Sequence, residues 1–426
     1  MSRMPVIYLK RICKSRIKEI LAHIDEKASL GDYLKEIPNF LTVFIVPFYF
    51  LTISPMLLEM SAGTGISTGD LSLIITFFTI GIILGQLTSI LFNRKLKRLT
   101  IITAGYIFII LMLLALLFTG SKIIFYILYL MLGYAAGVIW IQSTGYILEN
   151  RIRNKERLTT IFLSFYPLGS MAAPFIGSTL IRNGLNWRYY YYIAAAASLV
   201  IMLLFLVLKR GKEHSITSDE ENIPVRKIFF NRNINIIFAI GCFILFFYCI
   251  SEGIMVVWAP TFLRTVKSFD IQYAGLAVSV FWFAVLIGRL IVSVFAGRIK
   301  TNTVLLSLSI IAISSMMIFI TLDSVTASLI AAGFAGLGHS AIITLGVASA
   351  GTVYVKGRGI LASIVFAAIN SGTSLAPFIT RYVSRAGMTL SIAMAPLFMG
   401  FSLILIVLKM IYERKVLARG GKIADS

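Results

Sequence analysis

Charge is scarce in this 426-residue chain: Asp, Glu, Lys and Arg make up 13% of it, and only 18 residues are acidic. Soluble domains carry about 25% charge, and a chain that is 58% hydrophobic cannot hide its apolar surface in a water-soluble fold. The three cysteines, Cys13, Cys242 and Cys249, give no disulfide framework, because one lies in the N-terminal segment and two lie along a single apolar stretch. No metal-ligand cluster, phosphate-binding loop or nucleophile–base pair can be traced, so no enzyme activity and no cofactor are expected. Period-two alternation is missing too, which excludes a β-barrel.

What the chain has instead is long apolar runs. Those at 37–60, 71–92, 99–119 and 123–148 are each long enough to cross about 30 Å of hydrocarbon, and further ones fall at 158–181, 189–208, 234–262, 273–296, 303–322, 325–351, 359–383 and 389–411. They must be helices, because lipid offers a backbone amide no partner. The expected fold is an all-α membrane protein of twelve transmembrane helices in two six-helix bundles. Its parts are a cytoplasmic segment 1–36, a first bundle 37–208, a linker 209–233, a second bundle 234–411 and a tail 412–426. The first 36 residues lack the apolar run and cleavage site of a removable signal peptide.

A net charge of +21 would suggest nucleic-acid binding in a soluble protein, but its placement argues otherwise. With residue 1 inside, 30 of the 39 Lys and Arg fall in inside segments and 7 outside, with Arg289 and Lys409 left within spans. That bias puts both termini in the cytoplasm. The expected setting is the plasma membrane, multi-pass, with the lipid bilayer as partner, no nucleic acid, and a monomer.

The two halves repeat. Gly169-Ser-Met-Ala-Ala173-Pro174-Phe175-Ile176 in the fifth span answers Gly372-Thr-Ser-Leu-Ala376-Pro377-Phe378-Ile379 in the eleventh, 203 residues later. Ser89-x-x-x-Asn93-Arg94 after the second span answers Ser293-x-x-x-Gly297-Arg298, 204 residues later. Two matches at nearly one offset indicate duplication, and six-span parallel repeats are the plan in which two halves rock around a midplane site. Small residues before Pro174 and Pro377 let helices approach closely, and each proline removes an amide donor and invites a bend. The basic turn Asn93 to Arg98 can meet helix-end carbonyls and lipid phosphates, or serve as topology charge alone.

On these motifs the chain resembles the major facilitator superfamily over nearly all of residues 37–411. Ser89 to Arg98 stands where that superfamily has a Gly-x-x-x-Asp-Arg-x-Gly-Arg-Arg loop, with Ser89 for Gly, Asn93 for Asp and Leu96 for Gly. A narrower resemblance is to the fucose–proton symporter branch. It rests on Tyr248-Cys-Ile-Ser-Glu252-Gly253 and Trp258, on Phe281-Trp282 and Gly288-Arg289, on Gly338-His339-Ser340 with Ile343 to Gly346, and on Ser371-Gly372 with Pro377. The fourth span, Ala135 to Gln142, is similar as well. There Gln142 stands in the place of that branch's membrane glutamate, and Ser54 in the approximate place of its first-span aspartate. The resemblance implies a sugar transporter with proton coupling whose usual proton carriers are replaced.

Ionisable groups inside a membrane are costly, and each is a functional candidate. Glu252 is the only carboxylate well inside a span: it is the proton-coupling candidate, or else pairs with a fixed donor. His339, near the middle of the tenth span, can carry a proton or bind a solute hydroxyl, or bond a neighbouring helix. Arg289 can bind a carbonyl, a carboxylate or substrate. Gln142 and Asn370 pair donors with acceptors, as hydroxyl recognition or an interhelical bond requires. Tyr49 and Trp140 are aromatic pocket candidates, with packing as the alternative. Asn93, Arg94, Arg98, Pro174, Arg298 and Pro377 are read as gating or structural. Trp187 and Tyr189 to Tyr192 read as an aromatic belt at the membrane interface. Together these features predict a secondary transporter of a small polar, sugar-like solute working by alternating access, and the resemblance to the symporter branch implies coupling to protons. The alternative is a drug or metabolite exporter of the proton-antiporter type, whose fifth-span signature Gly169-x-x-x-Ala173-Pro174-x-x-Gly177 resembles.

Overall fold

The computed structural model describes residues 34–93, 96–149, 155–208, 232–295, 299–346 and 358–418. They form twelve long helices: α1 (Ile37–Thr64), α2 (Thr68–Asn93), α3 (Arg98–Leu116), α4 (Lys122–Glu149), α5 (Lys155–Arg182), α6 (Tyr189–Leu208), α7 (Arg232–Thr265), α8 (Ile271–Phe295), α9 (Thr301–Thr321), α10 (Val325–Gly346), α11 (Arg358–Val383) and α12 (Met388–Ala418). All but α11 register as long and apolar enough to cross a membrane. The last helix runs on to Ala418, past the end of its apolar stretch. Residues 1–33, 209–231 and 419–426, and with them most of the N-terminal segment, linker and tail, lie outside the described residues, as do Arg94 and Arg298.

Local sequence sets the breaks in these helices. α1 is interrupted beside Pro47 and again at Thr52, since proline has no amide hydrogen to continue the ladder. It ends at Gly65, whose φ of 72° is the left-handed cap that glycine adopts without penalty. α5 and α11 continue through Pro167 and Pro174, and through Pro377. α10 is interrupted at Ser340 and Ala341, where a turn separates Val325–His339 from the short piece that ends at Gly346.

Helix packing repeats between the halves. In the first, α2 packs on α4, α4 on α3, α3 on α6, and α1 on α5 and α6; in the second, α8 packs on α10, α10 on α9, α9 on α12, and α7 on α11 and α12. The same offset reappears in the closest approaches. Gly133 of α4 lies against the Phe78 backbone of α2, and Gly336 of α10 against the Phe281 backbone of α8, each glycine and its neighbour 203 residues from its counterpart. Likewise Gly169 meets the Phe44 backbone and Gly372 that of Phe246. A Cβ at any of these glycines would overlap backbone, so helices here touch main chain to main chain, as membrane interfaces favour.

The halves join through α5 with α8, α2 with α11, and α1 with α7. α1 is central, with 83% of its apolar window buried, whereas α3 and α9 are peripheral at 33%. Outward-facing side chains such as Phe118, Ile123 and Val207 are large, apolar and exposed, a perimeter suited to hydrocarbon rather than water. The expected aromatic belt divides. Tyr189 and Tyr192 are exposed, but Trp187, Tyr190 and Tyr191 are buried; Tyr190 donates to the Phe48 carbonyl, and Tyr191 shares a 2.9 Å bond with Tyr129.

Candidate functional site

Bonds between the halves gather at the face formed by the loops at 65–67 and 266–270. Arg264 pairs with Glu59 at 2.7 Å and Arg381 with Asp70 at 2.7 Å, so α7 is tied to α1 and α11 to α2. Deeper on the same side, Ser54 Oγ meets the Val256 and Val257 carbonyls at 2.6 and 2.9 Å, and Thr76 donates to the Ser374 carbonyl at 2.7 Å. Gly275 of α8 lies against Ser178 and Pro174 of α5. Ser54 is therefore a contact between halves.

Beneath this seal an aromatic run crosses from one half to the other. Trp140 of α4 packs on Tyr166 of α5 with ring centroids 5.5 Å apart, and Tyr166 meets Trp282 of α8 edge-on at 5.8 Å. Trp140 and Tyr166 are half-buried. Trp282 is buried, and its indole N–H is unpartnered among the described residues. Glu252 of α7 and Arg289 of α8, both half-buried, act electrostatically on the Tyr166 phenol. Four helices thus present two indoles, a phenol, a carboxyl and a guanidinium to one region. Aromatic faces there can cover the apolar face of a small ring, while the two ionisable groups can bind hydroxyls.

The carboxyl is fixed by its own helix. Tyr248, one turn earlier, places its hydroxyl 2.7 Å from Glu252 Oε1 and also 2.7 Å from the His339 carbonyl oxygen. Arg289 Nε donates to the Ser340 carbonyl at 2.9 Å. His339 is fully buried: Nδ1 lies 2.8 Å from the Ala335 carbonyl, which can only accept, so Nδ1 carries the hydrogen and Nε2 faces Ser251 Oγ at 3.5 Å. His339 thus packs behind Tyr248 and Phe281, with ring centroids at 5.2 and 5.3 Å.

The other sequence candidates sit elsewhere. Tyr49, 203 residues before Glu252, is buried and shares a 2.8 Å bond with Ser198 of α6. Gln142 is buried toward the linker end of α4, where Nε2 donates to Ser89 Oγ at 2.7 Å and Oε1 accepts from Arg98 Nε at 3.2 Å. The Arg98 guanidinium lies 5.1 Å over the Tyr146 ring, in space that Gly145 leaves free. Asn370 is half-buried midway along α11, Pro174 lies against α8 through Gly275, and Asn93 closes α2. Pro377 lies next to Ala376, which packs on Gly253. Lys409, left within the last span, is buried with Asn302 and Glu413.

Tyr248 and Tyr166, both beside Glu252, are not among the sequence candidates. Tyr248 had a signal, since residues four apart share a helix face. Tyr166 had none, because its place beside Trp282 depends on how α5 meets α8.

An apolar groove between α8 and α10, lined by Val280, Phe283, Leu329 and Phe334, opens on the perimeter. It carries no ionisable group and is not this site.

Comparison with known proteins agrees with this architecture. Residues 40–327 match the Major Facilitator Superfamily. The chain is 24% identical over 358 residues to the glucose/mannose transporter GlcP of Bacillus subtilis (strain 168), covering 82% of this chain and 87% of that one. It is 26% identical over 230 residues to a TsgA homolog of Buchnera aphidicola subsp. Schizaphis graminum, 52% of this chain and only 56% of that relative. Among solved structures, a D323A mutant of the nucleoside transporter NupG superposes with a TM-score of 0.73 at 15% identity, covering 90% of this chain and 100% of that one. A D-xylose–proton symporter gives 0.71 at 13%, covering 88% and 97%. A bacterial homolog of the human lysosomal transporter Spinster, inward-facing and unoccupied, gives 0.71 at 14%, covering 90% and 96%. At such identities these likenesses are of fold. With the superfamily match spanning more than half of the chain and the six-plus-six packing repeating at one offset, the chain belongs to the Major Facilitator Superfamily.

Proposed function

We propose that the chain is a secondary transporter that moves a small polar, sugar-like solute by alternating access, with Glu252 as the coupled proton carrier. The observation behind this reading is the Trp140–Tyr166–Trp282 run, joined by Glu252 and Arg289, placed between two halves that are bonded to each other on one side of it. Aromatic walls with a few charged groups suit polyhydroxylated rings. The names of GlcP and of the D-xylose–proton symporter support the same class of solute.

Charge placement supports a topology in which the linker and both termini are cytoplasmic. The bonded face is then extracytoplasmic and the described state is closed to the outside. The inward-facing Spinster homolog supports that assignment. The exporter reading is weaker here, since Gly169 and Gly177 of its signature are used to pack α5 on α1.

The test is transport in proteoliposomes with labelled D-glucose, D-xylose and a nucleoside. Counterflow of a sugar is expected, together with sugar accumulation driven by an inward proton gradient. In Glu252→Gln counterflow persists and gradient-driven accumulation is lost. No counterflow of any of the three solutes in the unaltered protein would overturn the solute class. Intact accumulation in the variant would remove Glu252 from coupling.

A further inference from the structure

The Tyr248 hydroxyl has one hydrogen and two oxygens at 2.7 Å, Glu252 Oε1 and the carbonyl of His339. A hydrogen bond needs a near-linear hydrogen, so the phenol cannot serve both. The carbonyl can only accept. If the phenol donates to it, the carboxyl contact is a bond only when Glu252 is protonated and donates to the phenol oxygen. If Glu252 is ionised, the phenol is drawn to the carboxylate by the stronger charge-assisted bond, and the His339 carbonyl loses its donor.

That carbonyl and the next one belong to the break in α10. His339 is the last residue of the first helical piece and Ser340 begins the turn. The Ser340 carbonyl takes its hydrogen from Arg289 Nε, and Arg289 also acts electrostatically on Glu252. A carboxylate at Glu252 therefore competes with the His339 carbonyl for the one phenol hydrogen, whereas Arg289, whose guanidinium carries five N–H donors, can keep its Nε bond to Ser340. A buried carbonyl left unpaired is costly, and the piece beyond the break, which reaches α7 where Gly346 packs on Leu245, would have to shift to repair it.

We infer that Tyr248 is a positioning residue that couples the proton on Glu252 to the break in α10: the protonated carboxyl leaves the break bonded, and the ionised carboxylate strips the His339 carbonyl of its donor. The proton leaves through the half-buried carboxyl, and nothing else is consumed. Other ionisable groups near the carboxyl are Arg289 from α8, His339 from α10, Tyr166 from α5 and Cys249 on its own helix. On the other packed helices Glu59 of α1 pairs with Arg264, Arg381 of α11 with Asp70, and Lys409 of α12 with Glu413. This inference rests on the transporter reading for its purpose, but its test needs no flux.

The test is amide hydrogen exchange of the full-length protein in lipid nanodiscs, followed by mass spectrometry across pH and corrected for intrinsic rates. In the unaltered protein, protection across residues 340–346 falls as pH rises, by about tenfold, the factor of one lost hydrogen bond. In Glu252→Gln, whose amide can donate to the phenol at every pH, protection stays high and flat. In Tyr248→Phe, which leaves the His339 carbonyl without a phenol donor, it is low and flat. A pH-dependent profile surviving in Glu252→Gln overturns the inference. Should Tyr248→Phe fail to fold, the Glu252→Gln comparison decides alone. Flat exchange in all forms with intact proton-driven sugar uptake overturns the α10 link and leaves the transporter reading standing.

Discussion

If the bonded face is one end of an alternating-access cycle, removing its two ion pairs should populate the opposite state by a calculable amount. Arg264→Gln with Arg381→Gln removes the Glu59 and Asp70 pairs, while Asp70 keeps Lys122, 3.3 Å away within its own half. Both pairs are short, 2.7 Å, with side chains 19–25% exposed, so each is worth about 1 kcal/mol, the upper end for partly solvated pairs. They join different helices and should add. Together, about 2 kcal/mol is about thirtyfold in the equilibrium. The reporter is Ser374→Cys on α11, whose carbonyl accepts from Thr76 behind the seal, in a background with Cys13, Cys242 and Cys249 changed to serine. Modification by a membrane-impermeant maleimide, applied from the side of the bonded face, should be about thirty times faster in the double variant. Each single change should give roughly five- to sixfold. An unchanged rate with intact protein would refute the assignment of this face as a gate.

Other outcomes follow from packing and electrostatics. Gly133→Ala and Gly336→Ala each drive a Cβ to within 2.8 Å of a backbone carbon of Phe78 or Phe281, and should lower stability by about 3 kcal/mol. Gly241→Ala and Gly400→Ala meet nothing within 4 Å and should gain up to about 1 kcal/mol from helix propensity; thermal denaturation in one detergent compares all four. Arg98→Ala should cost about 2 kcal/mol by loss of charge-assisted bonding to Gln142, measured the same way, with solute affinity unchanged. Lys267, outside the spans, has its ammonium held below the usual lysine value of 10.5 by burial, with Asp323 opposing. The unfolded chain then binds more protons, so stability should rise with pH in the window just below that value. Lys267→Gln should flatten that slope in melting scans.

The helical class, the number of spans and the duplication were determined by the sequence alone, because hydrocarbon imposes a length and a closed backbone on any spanning segment, and because a repeated helix interface keeps its small residues at one offset. Glu252 stood out for a related reason, since a carboxyl in an apolar run is too costly to be incidental. Tertiary structure alone decided what each polar group faces. Gln142 and Tyr49 carry chemistry suited to a solute, yet α2 and α3 take up the first and α6 the second. Tyr166 has no distinguishing pattern, and becomes part of the site through the crossing of α5 and α8. Trp187, Tyr190 and Tyr191 look like interfacial anchors until neighbouring helices cover them. Helical periodicity tells which residues share a face, whereas the partner of that face is set by how twelve helices assemble.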